Sequence, residues 1–230
     1  MIFELCTDAL EGAKIAKVYG AKRIELCSAL SVGGLTPSPA LTAQCAAIKA
    51  VETHVMIRPR EGDFVYSANN IEVMLKDIQL QAEAGAKGVV FGCLTSDNTI
   101  DIQQNITLVE EARKCGLECT FHRAFDFVAS PMEALESLIN IGFNRILTSG
   151  GKPTADAGME QIKQMVEKAK GEIEIMAGSG VNSSNALALA STGIQALHFT
   201  SHHATAYELG MGVSNTPNPE KIQSITALFS

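Results

Sequence analysis

Long hydrophobic runs are missing from this chain of 230 residues. No stretch approaches the roughly 20 consecutive apolar residues that a membrane-spanning helix needs. The first residues, Met1–Leu5, also lack the basic segment and the long apolar stretch of a secretory leader. We therefore expect a protein that does not enter a membrane and that works in the cytoplasm.

Basic residues are too few to balance the acidic ones. The 18 lysines and arginines stand against 25 aspartates and glutamates, which gives a formal net charge of −7. A chain of this sign lacks the general basic surface by which many proteins bind nucleic acids. We therefore expect a small ligand and not a nucleic acid as the partner.

Paired CxxC spacings, which are typical of structural zinc sites, are absent from the six cysteines. A chain of this length builds its core without disulfides, and hydrophobic residues make up 46% of it. We expect the cysteines to be reduced thiols.

Strand-like and helix-like segments alternate along the whole chain. The eight strand-like segments lie near residues 2–6, 23–27, 53–58, 88–92, 118–122, 144–149, 173–177 and 195–200. Between them lie amphipathic segments long enough for crossover helices. Four of these end in glycine shortly before an even-numbered strand, at Gly20, Gly85, Gly142 and Gly193. The pattern predicts an α/β fold, a (β/α)8 TIM barrel formed as a single domain over 1–230, with an open doubly wound sheet as the alternative.

Several predicted strands carry a polar residue at every second position, whereas the strands of a buried parallel sheet are usually apolar throughout. If the apolar alternates face the helices, the polar ones face the barrel interior. These polar residues are Glu4, Cys6, Glu25, Cys27, Arg58, His122 and His198. Buried ionisable groups are costly, and several of these lie at the carboxyl ends of strands, where barrel enzymes keep their active sites. We therefore predict a functional site at that end.

Two arginines flank a proline after the third predicted strand. Pro59 favours an extended backbone before it. We expect Arg58 to point inward at the strand end and Arg60 to lie at the rim. Arg58 can fork onto the carboxylate or phosphate of a ligand, and Arg60 is a second ligand-binding candidate. The alternative is a structural ion pair of Arg58 with Glu4 or Glu25.

A histidine ends the fifth predicted strand, at the start of the segment His122–Asp126. It can act as a general acid or base near neutral pH, or bind a metal. Asp126 would orient this ring or neutralise Arg123. The candidate catalytic residues are Glu4, Glu25, Arg58, His122, Arg123 and Asp126.

Short glycine-rich turns follow the sixth and seventh predicted strands. They offer backbone N–H groups at positions where barrels often hold phosphate. With Arg60, the ligand-binding candidates are Ser149, Gly150, Gly178, Gly180 and Thr200. His202 and His203, after the eighth strand, are either further ligands or merely solvated.

Cys6 and Cys27 end the first two predicted strands, which are neighbours in a barrel. Neighbouring strands lie about 5 Å apart, so the two sulfurs can approach each other. Two thiolates with few hard ligands favour Cu(I). Buried cysteine is, however, also a common small apolar residue.

These motifs together resemble the copper homeostasis protein family known as CutC. The matching stretches, in collinear order, are Glu4–Cys6, Arg23–Ser28, Gly33–Ser38, Met56–Arg60, Gly62–Ser67, Thr120–Asp126 and Arg145–Gly150. The resemblance implies a cytoplasmic barrel, a homo-oligomer of two or more subunits, and a Cu(I) site at Cys6 and Cys27. The chain departs from the family pattern over Ser201–Pro219, which is shorter than expected and lacks the usual basic and aromatic run before its Met-Gly.

Two functions fit these residues. One is a Cu(I)-binding protein that handles intracellular copper through Cys6 and Cys27, helped by Met56. The other is a TIM-barrel lyase, isomerase or hydrolase acting on a small anionic metabolite, with Glu4 or Glu25 as base and the strand-five histidine as acid. No interior lysine is evident at a strand end, which counts against a Schiff-base aldolase. A purely structural barrel would leave the polar interior without a purpose.

Overall fold

The computed structural model describes residues 1–206 and 213–229, and its centre is a closed barrel of eight parallel strands. The strands are β1 (Ile2–Thr7), β2 (Arg23–Leu26), β3 (Glu52–Met56), β4 (Gly88–Phe91), β5 (Glu118–Phe121), β6 (Arg145–Thr148), β7 (Glu174–Ala177) and β8 (Ala196–Thr200). Each strand pairs with its neighbours in chain order, and β8 pairs with β1 to close the ring. The predicted (β/α)8 barrel is therefore confirmed, and the open doubly wound sheet is wrong.

Helices follow the strands around the outside of the barrel. They are α1 (Leu10–Val18), α2 (Pro39–Ala46), α3 (Ala68–Glu83), α4 (Ile102–Lys114), α5 (Pro131–Ile141), α6 (Met159–Ala169), α7 (Ala186–Ala190) and α8 (Pro219–Thr226). Short 3₁₀ helices lie at Leu30–Val32, Arg123–Phe127 and Ala227–Phe229. Within the described part of the chain, no helix has the length and apolar character needed to cross a membrane.

The segment after β8 contains elements that the periodicity did not predict. Strands β9 (His202–Ala206) and β10 (Val213–Pro217) pair in antiparallel fashion, and α8 follows them. The segment Ser201–Pro219, where the chain departs from the family pattern, is described only in part. Residues 207–212, which include the Met-Gly at 211–212, lie outside the described residues.

The four glycines predicted to end helices all have a left-handed backbone. Their φ angles lie between 79° and 93°, at Gly20, Gly85, Gly142 and Gly193. Glycine adopts this conformation without steric cost, so the chain can turn from a helix into the next strand within a few residues.

Along each strand, the side chains alternate between the outer and the inner face of the barrel wall. Leu5, Ile24 and Phe121 belong to the large apolar core between the strands and the helices. The alternating positions face inward, and there Glu4 pairs in register with Arg23 of β2 and with His198 of β8. The barrel interior is therefore polar, as the alternation predicted.

Ion pairs fill the amino-terminal half of this interior, where β2, β5, β6 and β7 begin. Arg23 contacts the carboxylates of Glu4 and Glu174, with an Arg23 Nη2 to Glu174 Oε1 distance of 2.7 Å. Arg145 contacts Glu174, with its Nε 3.3 Å from Oε1, and also Glu118. Because Arg23 and Arg145 each have two carboxylate partners, this half of the interior avoids the high cost of an isolated charge.

Glu4 connects these ion pairs to the upper half of the barrel. Its Oε2 accepts a hydrogen bond from Arg23 Nε, and its Oε1 lies 2.8 Å from Nδ1 of His198. Burial opposes ionisation, but the hydrogen bond with His198 and the charge of Arg23 outweigh it and hold the pKa of Glu4 well below its ordinary value of 4.5. Glu4 is thus an anion with both oxygens occupied, which corrects its assignment as a free catalytic base.

The substitution Glu4→Gln tests this connection, because the amide keeps the shape of the side chain and removes its charge. We expect the free energy of unfolding, measured by urea denaturation at pH 7, to fall by about 3–5 kcal/mol, since His198 and Arg23 lose a buried counter-ion. The pKa of Glu4 is lower in the folded state than its ordinary value of 4.5, so the ionised group stabilises the fold fully above about pH 4.5. This contribution is lost as the pH falls from there toward the folded-state pKa. The difference between wild type and variant should therefore shrink at about pH 3.

Glu11→Gln is the matched control for this experiment. Glu11 is exposed and its contact with Lys14 is 3.7 Å long. Exposed ion pairs contribute about 0–1 kcal/mol, so this variant should remain close to wild type. Equal stability of the two variants at pH 7 would contradict the role assigned to Glu4.

Candidate functional site

A cavity of about 920 Å³ opens at the carboxyl-terminal mouth of the barrel. Its lining includes Cys6, Glu25, Met56, Arg58, His122 and His198. The carboxyl ends of parallel strands and the loops after them converge at this end of a barrel, which is why sites form there. The cavity therefore brings together most of the inward-facing residues that the sequence predicted.

Cys6 and Cys27 lie side by side at this mouth. The two sulfurs and a carboxyl oxygen of Glu25 all lie within 4.8 Å of one another. The strand register explains the approach, because Cys6 pairs with Glu25 and the amide of Cys27 donates to the carbonyl oxygen of Thr7 at 2.9 Å. Both thiols are buried. The structure thus brings the two sulfurs together, as the sequence predicted.

Two further residues shape the surroundings of the sulfurs. Met56 on β3 packs in one small cluster with both cysteines and Val90. Gly34 has a φ of 88°, and a Cβ at this position would lie 3.0 Å from the sulfur of Cys27. Any larger residue at position 34 would therefore press on the sulfur pair.

His198 brings a positive charge to the sulfurs from β8. Its Nδ1 is held by Glu4, and its Nε2 lies 3.7 Å from Oε2 of Glu25. Burial disfavours the charged ring, but Glu25, the hydrogen bond with Cys6 and Glu4 raise the pKa of His198 well above its ordinary value of 6.5. His198 therefore favours its charged form more strongly than an exposed histidine does.

Glu25 is a buried carboxyl group next to this ring. Its Oε2 accepts a hydrogen bond from the Cys27 thiol, with the sulfur 3.6 Å away, while its Oε1 has no partner among the described residues. Burial first, and then the negative charge of Cys6, raise the pKa of Glu25 well above 4.5. Glu25 therefore holds its proton more strongly than an exposed glutamate does.

The two thiols differ in acidity. The hydrogen bond with Cys27, helped by the charge of His198, outweighs burial and lowers the pKa of Cys6 to about 5. The same hydrogen bond, together with burial, raises the pKa of Cys27 well above its ordinary value of 9.0. At neutral pH the pair is consequently one thiolate and one thiol.

Arg58 points inward, as predicted, but it forms no ion pair with a described carboxylate. Its guanidinium donates to three backbone carbonyl oxygens at 2.9–3.0 Å, those of Val32, Gly34 and Gly62. The alternative of an ion pair with Glu4 or Glu25 is therefore wrong. Arg58 ties together the loops after β2 and β3, while its buried Nε has no partner within the described ranges.

Arg60 lies at the rim, as predicted, but it is not part of the cavity lining. It lies 2.6 Å from the carboxylate of Asp63 and donates to the carbonyl oxygen of Val65. The structure thus uses Arg60 to hold its own loop and does not bring it to a ligand, which corrects the ligand-binding assignment.

His122 lines the cavity with a neutral ring. Its Nδ1 accepts a hydrogen bond from the backbone N–H of Ala124 at 3.3 Å, so the proton of the neutral ring lies on Nε2. Burial and the charge of Arg58 lower the pKa of His122 to about 3. This ring can donate a hydrogen bond or polarise a carbonyl, but at neutral pH it has no acidic proton of an imidazolium to give.

Asp126 does not orient His122, which corrects one of the two expected roles. Its Oδ2 accepts from Nε of Arg123 at 2.8 Å, so the other expected role, neutralising Arg123, agrees with the geometry. Arg123 also donates to the Ser149 hydroxyl at 3.1 Å.

The carboxylate of Asp126 also fills the turn after β6, residues Thr148–Gly151. Asp126 accepts from the backbone N–H groups of Ser149 and Gly151 at 2.9 and 3.1 Å, and the N–H of Gly150 donates to the Thr148 hydroxyl at 2.8 Å. The N–H groups that were expected to hold a phosphate are therefore occupied. The expectation for Ser149 and Gly150 is corrected accordingly.

The other ligand-binding candidates divide between the sheet and the cavity. The N–H of Gly178 donates to the carbonyl oxygen of Thr148 at 3.0 Å, so it belongs to the sheet and is not available to a ligand. Gly180, Thr200 and His202 line the cavity. His203 is exposed and is not part of the lining.

Lys221 is a cavity residue that the sequence analysis missed. It comes from α8, and its Nζ lies 3.5 Å from the Thr200 hydroxyl, where burial lowers its pKa. The signal for α8 was present in Asn218 and Pro219, because Asn218 caps the helix by accepting from the Lys221 amide and proline is favoured at the first position.

The fold and the mouth define a class of protein, a (β/α)8 barrel with a buried cluster of thiol, carboxyl and imidazole groups at its carboxyl-terminal end. The model of the CutC family matches residues 1–203. The chain belongs to the CutC family.

Individual relatives agree with this assignment. The family protein CutC of Pasteurella multocida is 46% identical over 201 residues, which cover 87% of this chain and 82% of the relative. The family protein CutC of Vibrio cholerae is 44% identical over 198 residues, covering 86% of this chain and 78% of the relative. The solved structure of CutC from Streptococcus agalactiae superposes with a TM-score of 0.80 at 33% identity, covering 86% of this chain and 97% of that chain.

The substitution Cys27→Ala tests the thiolate assignment, because it removes the hydrogen bond that most lowers the pKa of Cys6. We expect the pKa of Cys6 to rise from about 5 toward its ordinary value of 9.0. The ultraviolet absorbance of the thiolate, followed as a function of pH, measures this change. Cys93→Ala is the control and should leave the titration of Cys6 unchanged; an equal titration in wild type and Cys27→Ala would contradict the assignment.

Proposed function

We propose that this chain binds one Cu(I) ion through the sulfurs of Cys6 and Cys27 and that this binding serves intracellular copper handling. The observation that carries the proposal is the meeting of two buried sulfurs at the barrel mouth, and the lowered pKa of Cys6 agrees with it. Soft thiolate and thioether ligands select Cu(I) over hard divalent ions. Met56, in the same cluster, offers a thioether as a third ligand.

The charges around the sulfurs suit a monovalent ion. Two thiolates and one Cu(I) carry a net charge of −1. The imidazolium of His198 lies next to Glu25 and is hydrogen-bonded to Glu4, so it supplies the compensating positive charge. A buried charge is stable only when it is paired in this way.

The family supports the same conclusion. The Streptococcus agalactiae relative carries a name that refers to copper homeostasis. The family model matches residues 1–203 of this chain, a range that includes Cys6 and Cys27.

The alternative, an acid–base enzyme acting on an anionic metabolite, receives less support from the geometry. The two carboxylate oxygens of Glu4 are bound by Arg23 and His198, and the carboxylate of Asp126 accepts hydrogen bonds from the turn after β6. His122 is neutral near pH 7. Glu4, Asp126 and His122 therefore lack the roles of base, orienting group and acid in this arrangement, and of the residues assigned to these roles Glu25 alone keeps an oxygen at the cavity with no partner in the described part of the chain.

Anaerobic titration of the reduced, metal-free protein with Cu(I), against a competing chelator, tests the proposal. We expect one ion per chain in wild type and a loss of affinity of at least about 100-fold in Cys6→Ser/Cys27→Ser, because both ligands are removed. The double variant Cys93→Ser/Cys119→Ser is the matched control, since it also loses two buried thiols, but outside the cavity. Weak binding by wild type, or equal binding by Cys6→Ser/Cys27→Ser, would contradict the proposal.

The number of protons released on binding tests the ionisation of the pair. Cys6, with a pKa of about 5, is already a thiolate at neutral pH, whereas Cys27 must lose its proton. We expect one proton per Cu(I) between about pH 6 and pH 8, and an affinity that rises about tenfold per pH unit there, because metal and proton compete. Below about pH 5 a second proton should enter the balance. Calorimetry in buffers of different ionisation enthalpy measures the count, and a count of two at pH 7 would argue against a preformed thiolate.

A cytoplasmic location and a homo-oligomer belong to the same proposal. Both come from the family resemblance, and both stay predictions.

A further inference from the structure

We propose that the mouth cavity also binds a small organic carboxylate, held by Arg58 and His122. This inference goes beyond the Cu(I) proposal and does not depend on it, because it concerns residues of β3, β5 and their loops and not the sulfur pair. The ligand class follows from three features, which are the unpartnered donors, the unpaired charge and the size of the cavity.

The unpartnered donors are the first feature. Nine buried side-chain nitrogen and oxygen atoms lack a hydrogen-bond partner among the described residues, and three of them belong to residues that line this one cavity, Glu25, Arg58 and His122. Buried polar groups in folded proteins are nearly always satisfied, so a concentration of unsatisfied ones around a cavity indicates a missing partner. For Nε of Arg58 and Nε2 of His122 that partner must be an acceptor.

The charge of Arg58 is the second feature. Its contacts are with backbone carbonyl oxygens, which hold the guanidinium in place but do not neutralise it. The residue is only 5% exposed, so water screens this charge poorly. Lys221, half-buried at the same cavity, adds a second cation. A fixed arginine with a free donor favours a carboxylate, which it binds with charge-assisted hydrogen bonds.

One aromatic ring covers both donors. The Phe64 ring centroid lies 4.8 Å from that of the His122 ring, and the guanidinium carbon of Arg58 lies 5.3 Å from the same centroid. Phe64 belongs to the loop after β3 and is partly exposed. Because both donor atoms are buried, binding through them requires this ring to move aside, and its apolar face then meets the carbon skeleton of the ligand.

The cavity itself is the third feature. Its volume of about 920 Å³ exceeds the needs of a single ion and lies in the range of pockets for organic ligands. Phe127 extends the apolar lining beside Phe64. The turn after β6 offers no free backbone N–H groups to a phosphate ester, because the carboxylate of Asp126 fills it.

Calorimetric titration of the reduced, metal-free protein in the presence of a chelator tests this inference without copper. Succinate, 2-oxoglutarate and benzoate are titrated separately, with inorganic phosphate and the neutral succinamide as comparison ligands. We expect at least one carboxylate to bind, and the substitution His122→Asn to weaken it at least tenfold. Asparagine keeps an acceptor for the Ala124 amide and so preserves the local turn, but it cannot present the donor of the longer ring.

His203→Asn is the matched control, because it makes the same chemical change at an exposed histidine outside the cavity, and it should bind like wild type. Arg58→Lys keeps the charge and removes Nε–H, and it should also weaken binding at least tenfold. The melting temperature of each variant shows that a loss of binding is not a loss of fold. Absence of binding by all three carboxylates at about 10 mM, unchanged binding in His122→Asn, or phosphate or succinamide binding as tightly as the carboxylates would overturn the inference.

Discussion

The buried carboxylate of Glu4 is the interaction on which the rest of the barrel interior depends. One oxygen satisfies Arg23, which also pairs with Glu174, and the other fixes the ring of His198. A buried charge is tolerated only when it is paired, so the amino-terminal ion pairs and the carboxyl-terminal site stabilise each other. Together with Glu25 and Cys6, Glu4 raises the pKa of His198, whose charge in turn helps to lower the pKa of Cys6. The stability of the fold and the chemistry of the mouth are therefore linked.

The sulfur pair is a product of strand geometry, because the alternation of side chains along two neighbouring strands brings both cysteines to the same face. Cys6 and Cys27 belong to adjacent strands, and the parallel register places one next to Glu25 and the other just beyond it. The hydrogen bond between the sulfurs and the nearby His198 lower the pKa of Cys6, whereas the same hydrogen bond, burial and Glu25 raise the pKa of Cys27, so two identical side chains differ in acidity. This difference in pKa favours the binding of a metal ion at neutral pH, because one of the two sulfurs is already deprotonated.

Much of the fold could be predicted from the sequence, because a period of two along the strands and glycine at the helix ends are local signals. The inward direction of Cys6, Arg58 and His122 followed from the same period. The hydrogen-bond partners of Arg58 and His122 could not be predicted, because they belong to loops whose paths the sequence does not show. Arg58 was expected to meet a ligand or a glutamate, and it binds carbonyl oxygens of two loops. Lys221 was missed because its helix lies beyond the repeating pattern.

The turn after β6 has one consequence for what the barrel can recognise. A carboxylate that belongs to the chain competes for the turn at a high effective concentration, because the fold holds the loop after β5 beside the amides that Asp126 binds. Free anions in solution have to displace it, and phosphorylated metabolites, however abundant, gain no contact there until they do. Asp126 therefore keeps the backbone N–H groups of this turn from binding another anion. The turn after β6 is thus closed to phosphorylated compounds by a group of the chain itself, whatever the shape of the cavity.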